Sequence, residues 1–307
     1  MSRFMIVILA VLLSACNESP APAETASQAA ESPAVQPAAP AVQDNSEILA
    51  AALAAQPEDV QARYTYRHPQ ETLEFFGIEP GMTVYETLPG GGWYSKVLLS
   101  YLGSEGHLIG ADYAADMYPL FGFFSEEDLA SKATWVETWT TEADVWRNDD
   151  SASVSAFQMG SMPAEMQGTA DAAVVVRSLH NLARFEPDGG YLTAALADLY
   201  AILKPGGIVG VVQHQARDEM PDEWASGAMG YLKDDFVIAR MTEAGFEYAG
   251  QSGINFNPKD QPGEDDFVWR LPPSLATSKD NAELKAAMLE IGESHRMTIK
   301  FRKPGKK

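Results

Sequence analysis

A glycine-rich segment offers the clearest chemistry in this sequence of 307 residues. It consists of a proline and three glycines: Pro89, Gly90, Gly91 and Gly92. Because glycine has no side chain, such a segment lets a ligand approach the backbone closely. One acidic residue, Glu86, precedes it, and a second, Asp112, ends a later apolar run. An acid at the end of a strand can accept hydrogen bonds from ribose hydroxyls.

The segment differs from two phosphate-binding motifs. A dinucleotide fingerprint counted from Gly90 requires a glycine where Ser95 stands. A P-loop requires Gly-Lys followed by Ser or Thr, and the sequence contains no such pattern. A P-loop is therefore excluded, and the segment does not complete a dinucleotide fingerprint.

A third group of polar residues follows the apolar run 172–176. His180 and Asn181 are the catalytic candidates, because a histidine with an ordinary pKa near ~6.5 can remove a proton at neutral pH. A hydrogen bond to a loop carbonyl accounts for the histidine equally well. Arg177 can orient a carboxylate or pair with Glu86. Trp93 either forms a wall of the pocket or packs on a helix face.

Short apolar runs alternate with amphipathic stretches, which is typical of a parallel sheet flanked by helices. The pattern predicts strands at 83–86, 107–111, 154–157, 172–176, 208–212, 246–249 and 298–301. It predicts helices at 46–55, 70–76, 93–102, 191–203 and 235–244, with a turn at 204–207. The predicted fold is α/β, a Rossmann-like three-layer sandwich with a mostly parallel seven-stranded sheet. Ligands bind such sheets at the carboxyl ends of the strands.

These motifs resemble class I S-adenosylmethionine (SAM)-dependent methyltransferases. The general resemblance rests on three features: the acid before the glycines, the acid at position 112 and the Lys-Pro-Gly-Gly segment at 204–207. The chain also resembles a family of predicted, largely uncharacterised bacterial methyltransferases. This resemblance lies in segments 67–69, 71–78, 80–82, 89–94 and 177–181. The resemblance implies that SAM is the cofactor, with Glu86 at its amino-acid end and Asp112 at its ribose.

The third predicted strand departs from that family, because it lacks the acidic residue often found near the adenine. We expect Phe157 to stack on the base and Gln158 to form a hydrogen bond with it. With Arg177, these residues complete the predicted cofactor site. No Asn/Asp-Pro-Pro-Tyr motif follows the fourth strand, which argues against methylation of exocyclic amines on nucleic acids.

The amino terminus predicts export and lipidation. Arg3 precedes an apolar run over residues 4–13, which fits a secretory signal and is too short to span a bilayer. Residues 13–16 resemble a lipobox, so we expect cleavage after residue 15 and acylation of Cys16. Residues 16–45 then form a flexible Ala/Pro-rich tether, and residues 46–307 the methyltransferase-like domain. By resemblance to sorting in Gram-negative bacteria, Asn17 favours a periplasm-facing anchor in the outer membrane.

Composition narrows the possible partners. The net charge of −21 repels polyphosphates and therefore disfavours nucleic-acid binding. Cys16 is the only cysteine, and the five histidines show no metal-ligand spacing, so we expect no metal. The leading hypothesis is a methyltransferase with a small-molecule acceptor. The alternative is a non-catalytic envelope lipoprotein that binds a SAM-like nucleoside or another small metabolite.

Overall fold

A computed structural model describes residues 44–305 of the protein. The predicted signal segment, Cys16 and nearly all of the predicted tether lie outside these residues. Seven strands form one sheet: β1 Thr83–Thr87, β2 His107–Asp112, β3 Ser153–Gln158, β4 Ala170–Val176, β5 Leu203–His214, β6 Glu247–Ser252 and β7 Arg296–Arg302.

The strands are hydrogen-bonded in the order β3-β2-β1-β4-β5-β7-β6. The first five lie parallel to their neighbours, whereas β7 runs antiparallel to both β5 and β6. The first five positions follow the doubly wound order, and β7 is inserted before the sixth. The structure therefore confirms a Rossmann-like, mostly parallel seven-stranded sheet.

Helices cover both faces of this sheet. They are α1 Asn45–Ala54, α2 Glu58–Gln61, α3 Tyr64–Arg67, α4 Pro69–Phe76, α5 Trp93–Leu102, α6 Glu126–Lys132, α7 Trp135–Val145, α8 Leu179–Arg184, α9 Glu186–Gly189, α10 Tyr191–Ile202, α11 Asp234–Glu243 and α12 Ala282–Ile291. Three 3₁₀ helices span Ala115–Phe121, Ala164–Met166 and Val268–Arg270. Within residues 44–305, none of the helices has the length and apolarity needed to cross a bilayer.

The alternating orientation of side chains along each strand divides the apolar core into two layers, one on each face of the sheet. Val84 and Leu108 pack with α1, α4, α5 and α7, while Tyr85 and Ile109 pack with α8, α10 and α11 on the other face. Successive strand residues point to opposite faces, so a sheet covered on both sides must be apolar at nearly every position. The residues where the strands end are therefore the ones free to be polar.

Two parts of the sequence prediction need correction. The turn expected at 204–207 belongs to β5, where these residues bulge between Leu203, which pairs with Ala170, and Ile208, which pairs with Ala172. The prediction also assigned no element to the long connection between β2 and β3. That connection contains a 3₁₀ helix, α6 and α7, and it forms part of the site.

Candidate active site

The glycine segment, here called the glycine loop (residues 88–92), joins β1 to α5 at the carboxyl edge of the sheet. Leu88 has a φ of 51°, and Arg177, the first residue after the neighbouring β4, has a φ of 54°. This left-handed conformation costs a non-glycine residue roughly 1–3 kcal/mol and is concentrated at ligand sites. Two adjacent strands thus end in strained backbone at the same edge.

The three glycines of the loop have different surroundings. Gly90 and Gly91 face open cavities. Gly92 begins α5 with a φ of 77°, and a Cβ added there would lie 2.3 Å from the Trp146 ring. The bare Cα of Gly92 therefore makes room for the Trp146 ring.

Glu86 lies in β1, beneath the loop. Its side chain is 3% exposed, and its Oε2 accepts a 2.7 Å hydrogen bond from the Ser95 hydroxyl. Burial raises the pKa of Glu86 to about 7, although the Ser95 hydrogen bond opposes the shift. Glu86 lines neither neighbouring cavity. Within residues 44–305, this carboxyl fixes the first turn of α5 against β1.

Asp112 ends β2 and faces a cavity of about 350 Å³, here called the Asp112 cavity. Its Oδ1 accepts hydrogen bonds from the Tyr113 backbone N–H at 2.9 Å and the Tyr118 hydroxyl at 2.6 Å. Burial raises the pKa of Asp112, while these two hydrogen bonds oppose the shift. Its Oδ2 makes no hydrogen bond within residues 44–305, so this oxygen is available to a ligand.

The connection between β2 and β3 builds the outer wall of the Asp112 cavity. Lys132 from α6 and Trp135 and Trp139 from α7 line it, and the two tryptophan rings stack 5.7 Å apart. The Nε1 of Trp139 is buried without a hydrogen-bond partner among the described residues. Sequence reasoning missed this wall. Helix α6 buries no side chain, whereas in α7 the spacing of Trp135, Trp139 and Ala143 is a signal that could have found it.

A second cavity of about 420 Å³, the Arg177 cavity, lies on the other side of the glycine loop. Leu88 and Gly90 line both cavities, so the loop is their common wall. The Arg177 cavity contains several predicted residues: Pro89, Gly90, Gly91, Arg177, His180 and Asn181. It is also lined by residues outside the predicted cofactor and catalytic sets: Arg63, Arg67, Trp93, His214 and Trp269.

His180 and Asn181 lie in the first turn of α8 and differ in their availability for chemistry. The Nδ1 of His180 lies 3.3 Å from the Gln213 amide nitrogen, and burial lowers the pKa of His180 to about 4. The imidazole is therefore neutral at pH 7. Asn181 donates to the Tyr113 hydroxyl at 3.2 Å, and its Oδ1 is buried without a partner among residues 44–305.

The two residues predicted at the adenine, Phe157 and Gln158, make other contacts within residues 44–305. Phe157 is 3% exposed and packs in the core, with its ring stacked 5.8 Å from that of Tyr85. Gln158 donates to the Lys132 carbonyl at 3.0 Å and lies outside the Asp112 cavity, so it holds α6 in place. The sequence shows where a strand ends, but it does not show which face a side chain near that end occupies.

The suggested pair between Arg177 and Glu86 is also absent from the described residues. Arg177 forms no ion pair there, and Glu86 is bonded to Ser95. No group of three or more metal-ligating side chains occurs between residues 44 and 305. The site is thus a polar cleft with the glycine loop at its centre, Asp112 on one side and arginines on the other.

No protein-family model matches this chain, and neither does any curated protein sequence. Among solved structures, it is similar to a SAM-dependent methyltransferase from Aquifex aeolicus, with 15% identity, a TM-score of 0.46, and 85% of this chain and 99% of that one covered. It is also similar to the geranyl diphosphate C-methyltransferase of Streptomyces coelicolor, with 16% identity, a TM-score of 0.48, and 82% and 87% covered. A third is 1,6-didemethyltoxoflavin-N1-methyltransferase of Burkholderia thailandensis, with 13% identity, a TM-score of 0.42, and 85% and 87% covered. The function of this chain must follow from its own residues.

Proposed function

We propose that this protein is a SAM-dependent methyltransferase that acts on a small-molecule acceptor. The observation that carries the proposal is Asp112. Its free carboxylate oxygen faces a cavity that shares the side-chain-free wall at Gly90 with a second cavity. A ligand with a ribose diol at one end and an amino acid at the other fits this arrangement, because it can cross Gly90 without meeting a side chain.

The residues present fit SAM better than a dinucleotide. In a dinucleotide site, a third glycine lets the helix pack closely on the strand. Ser95 occupies that place, and its hydroxyl is committed to Glu86. Asp112, whose Oδ2 makes no hydrogen bond within residues 44–305, lines the Asp112 cavity, as a polar ligand with hydroxyl groups requires.

SAM supplies a methyl group on a sulfonium, and methyl transfer needs chiefly alignment, with a base where the acceptor is protonated. Asp112 orients the ribose, and Glu86 and Ser95 keep the loop in place. His180 and Asn181 face the acceptor side. Neutral His180 accepts a hydrogen bond from an acceptor, but its lowered pKa makes it a weaker base than an exposed histidine.

The same proposal includes the predicted anchor. Acylation at Cys16 would attach the domain to the cell envelope through a lipid, facing the periplasm, without a membrane-spanning helix. The lipobox-like residues 13–16 and the Ala/Pro-rich composition that follows support this location.

Calorimetric titration with S-adenosylhomocysteine (SAH) tests the cofactor assignment. We expect SAH to bind, and Asp112→Ala to weaken binding by roughly 1–3 kcal/mol, because charge-assisted hydrogen bonds are lost. Asp149→Ala removes an exposed carboxylate outside both cavities and should leave the affinity unchanged. Absence of heat and of a thermal shift with both SAM and SAH would refute the assignment. Methyl transfer from labelled SAM then separates an enzyme from a non-catalytic binding protein.

A further inference from the structure

Three arginine side chains bind one carboxylate behind the glycine loop, and a fourth arginine, Arg177, lines the same cavity as two of them. Arg63 Nε and Arg67 Nε lie 2.8 and 3.2 Å from Glu293 Oε1, and Arg296 Nη1 lies 3.1 Å from Glu293 Oε2. Arg177 is close enough for its charge to act on this group. Four positive charges and one negative charge leave a net charge of +3 in a chain whose total is −21.

Arg177 is the member of this cluster without a counterion. Among residues 44–305 its guanidinium makes no ion pair and no side-chain hydrogen bond, and its Nε is buried and unpartnered. The Nε of Arg296 is buried and unpartnered as well. Burial, followed by the charge of Arg177, lowers the pKa of Arg67 to about 10. Buried charge is costly unless it is paired, so the cluster is short of negative charge.

The missing negative charge can reach the cluster from the cleft. Arg63, Arg67 and Arg177 all line the Arg177 cavity, together with His180 and Asn181. The Arg67 guanidinium is held 4.4 Å from the centre of the Trp93 ring, which fixes its orientation. A planar guanidinium with free N–H groups binds carboxylate or phosphate oxygens in pairs. The cavity is therefore organised for an anion.

We propose that the Arg177 cavity binds the anionic group, a carboxylate or a phosphate, of the methyl acceptor, with Arg177 as its main ligand and Arg67 beside it. This inference rests on the proposed methyltransferase function, and it reassigns Arg177 from the cofactor to the acceptor. SAM carries an ammonium and a sulfonium against a single carboxylate. The SAM carboxylate therefore arrives with two positive charges and leaves the +3 cluster uncompensated, whereas an anionic acceptor supplies the missing negative charge.

The test is calorimetric titration of the full-length protein with pyrophosphate and with succinate, each with and without saturating SAH. We expect at least one anion to bind in both states, and the preferred anion distinguishes a phosphate from a carboxylate. Arg177→Gln should weaken this binding roughly tenfold to hundredfold, because a charged hydrogen-bond pair is lost. SAH affinity should not change. Arg302→Gln, an exposed arginine on β7 outside the cavity, is the matched control and should bind the anion as the wild type does.

Several results would overturn the proposal. The first is that no anion binds to the wild type, and the second is that Arg302→Gln loses as much anion affinity as Arg177→Gln. The third is that Arg177→Gln loses SAH affinity while no anion binds to the SAH complex. The last result would return Arg177 to the cofactor carboxylate. If Arg177→Gln does not fold, Arg177→Lys keeps the charge without the planar fork and should still weaken anion binding. Arg177-dependent anion binding without SAH binding would preserve the anion site and refute the cofactor assignment.

Discussion

Glu86 allows a quantitative test of how the glycine loop is held. Replacement by glutamine preserves the shape of the side chain and an oxygen that can accept the Ser95 hydrogen bond. It removes the ability to ionise. The variant Glu86→Gln therefore isolates the free energy of placing a carboxylate in the closed space between β1 and α5.

The expected magnitude follows from the pKa. Burial raises the pKa of Glu86 from 4.5 to about 7, so the folded protein keeps this proton over a range in which the unfolded chain has lost it. The free energy of unfolding therefore falls as pH rises from 4.5 to 7 and levels off above that. Since one pKa unit corresponds to about 1.4 kcal/mol, the loss is roughly 3 kcal/mol.

Urea denaturation of the wild type and of Glu86→Gln between pH 4.5 and 8 measures this effect. Other titrating groups cancel in the difference between the two proteins. We expect similar stabilities near pH 4.5, and a variant that is more stable by roughly 3 kcal/mol at pH 8. Glu283→Gln, at an exposed position of α12, should show no such trend. A difference that stays flat across this pH range would refute the reasoning.

Two further predictions concern the loop and the anchor. Gly92→Ala should destabilise the fold by roughly 1–3 kcal/mol in urea denaturation, because the new Cβ meets the Trp146 ring. The control is Gly122→Ala, at a glycine that also has a positive φ but has open space around it, so this variant measures the backbone cost alone. If both variants lose the same free energy of unfolding, the destabilisation of Gly92→Ala is not steric. Intact-mass spectrometry of the protein from its native membrane should show acylated Cys16, and Cys16→Ser should be unacylated and leave the membrane fraction. Wild-type protein without the lipid mass would show the lipobox interpretation to be wrong.

The sheet was predictable because its strands are covered on both faces. Apolar runs such as residues 172–176, separated by segments of helical periodicity, are typical of strands in such a sheet. The ends of β1, β2 and β4 followed from those runs, and with them Glu86, Asp112 and His180. The periodicity of apolar residues did not predict how side chains near the strand ends are oriented. The prediction therefore put Phe157 at the ligand, whereas its side chain packs in the core.

The missed parts of the site have two physical causes. Helix α6 buries no side chain, so it lacks the apolar stripe by which a helix is found in a sequence, whereas α7 carries such a stripe at Trp135, Trp139 and Ala143 that the sequence prediction overlooked. The arginine cluster joins α3 to the start of β7, and Arg67 is 226 residues from Glu293 along the chain. No local spacing can reveal a contact over that distance.

The position of β7 has a consequence for how the chain acquires its structure. Among the described residues, strand β6 is hydrogen-bonded to the sheet only through β7, which lies later in the chain and also pairs with β5. Residues 247–252 therefore have no place to dock until residues 296–302 have arrived. Closure of this edge depends on nonlocal contacts, which form slowly because a long loop must be closed first. We therefore expect this edge to form as one unit, late in folding, together with the Glu293 carboxylate that binds three of the arginines.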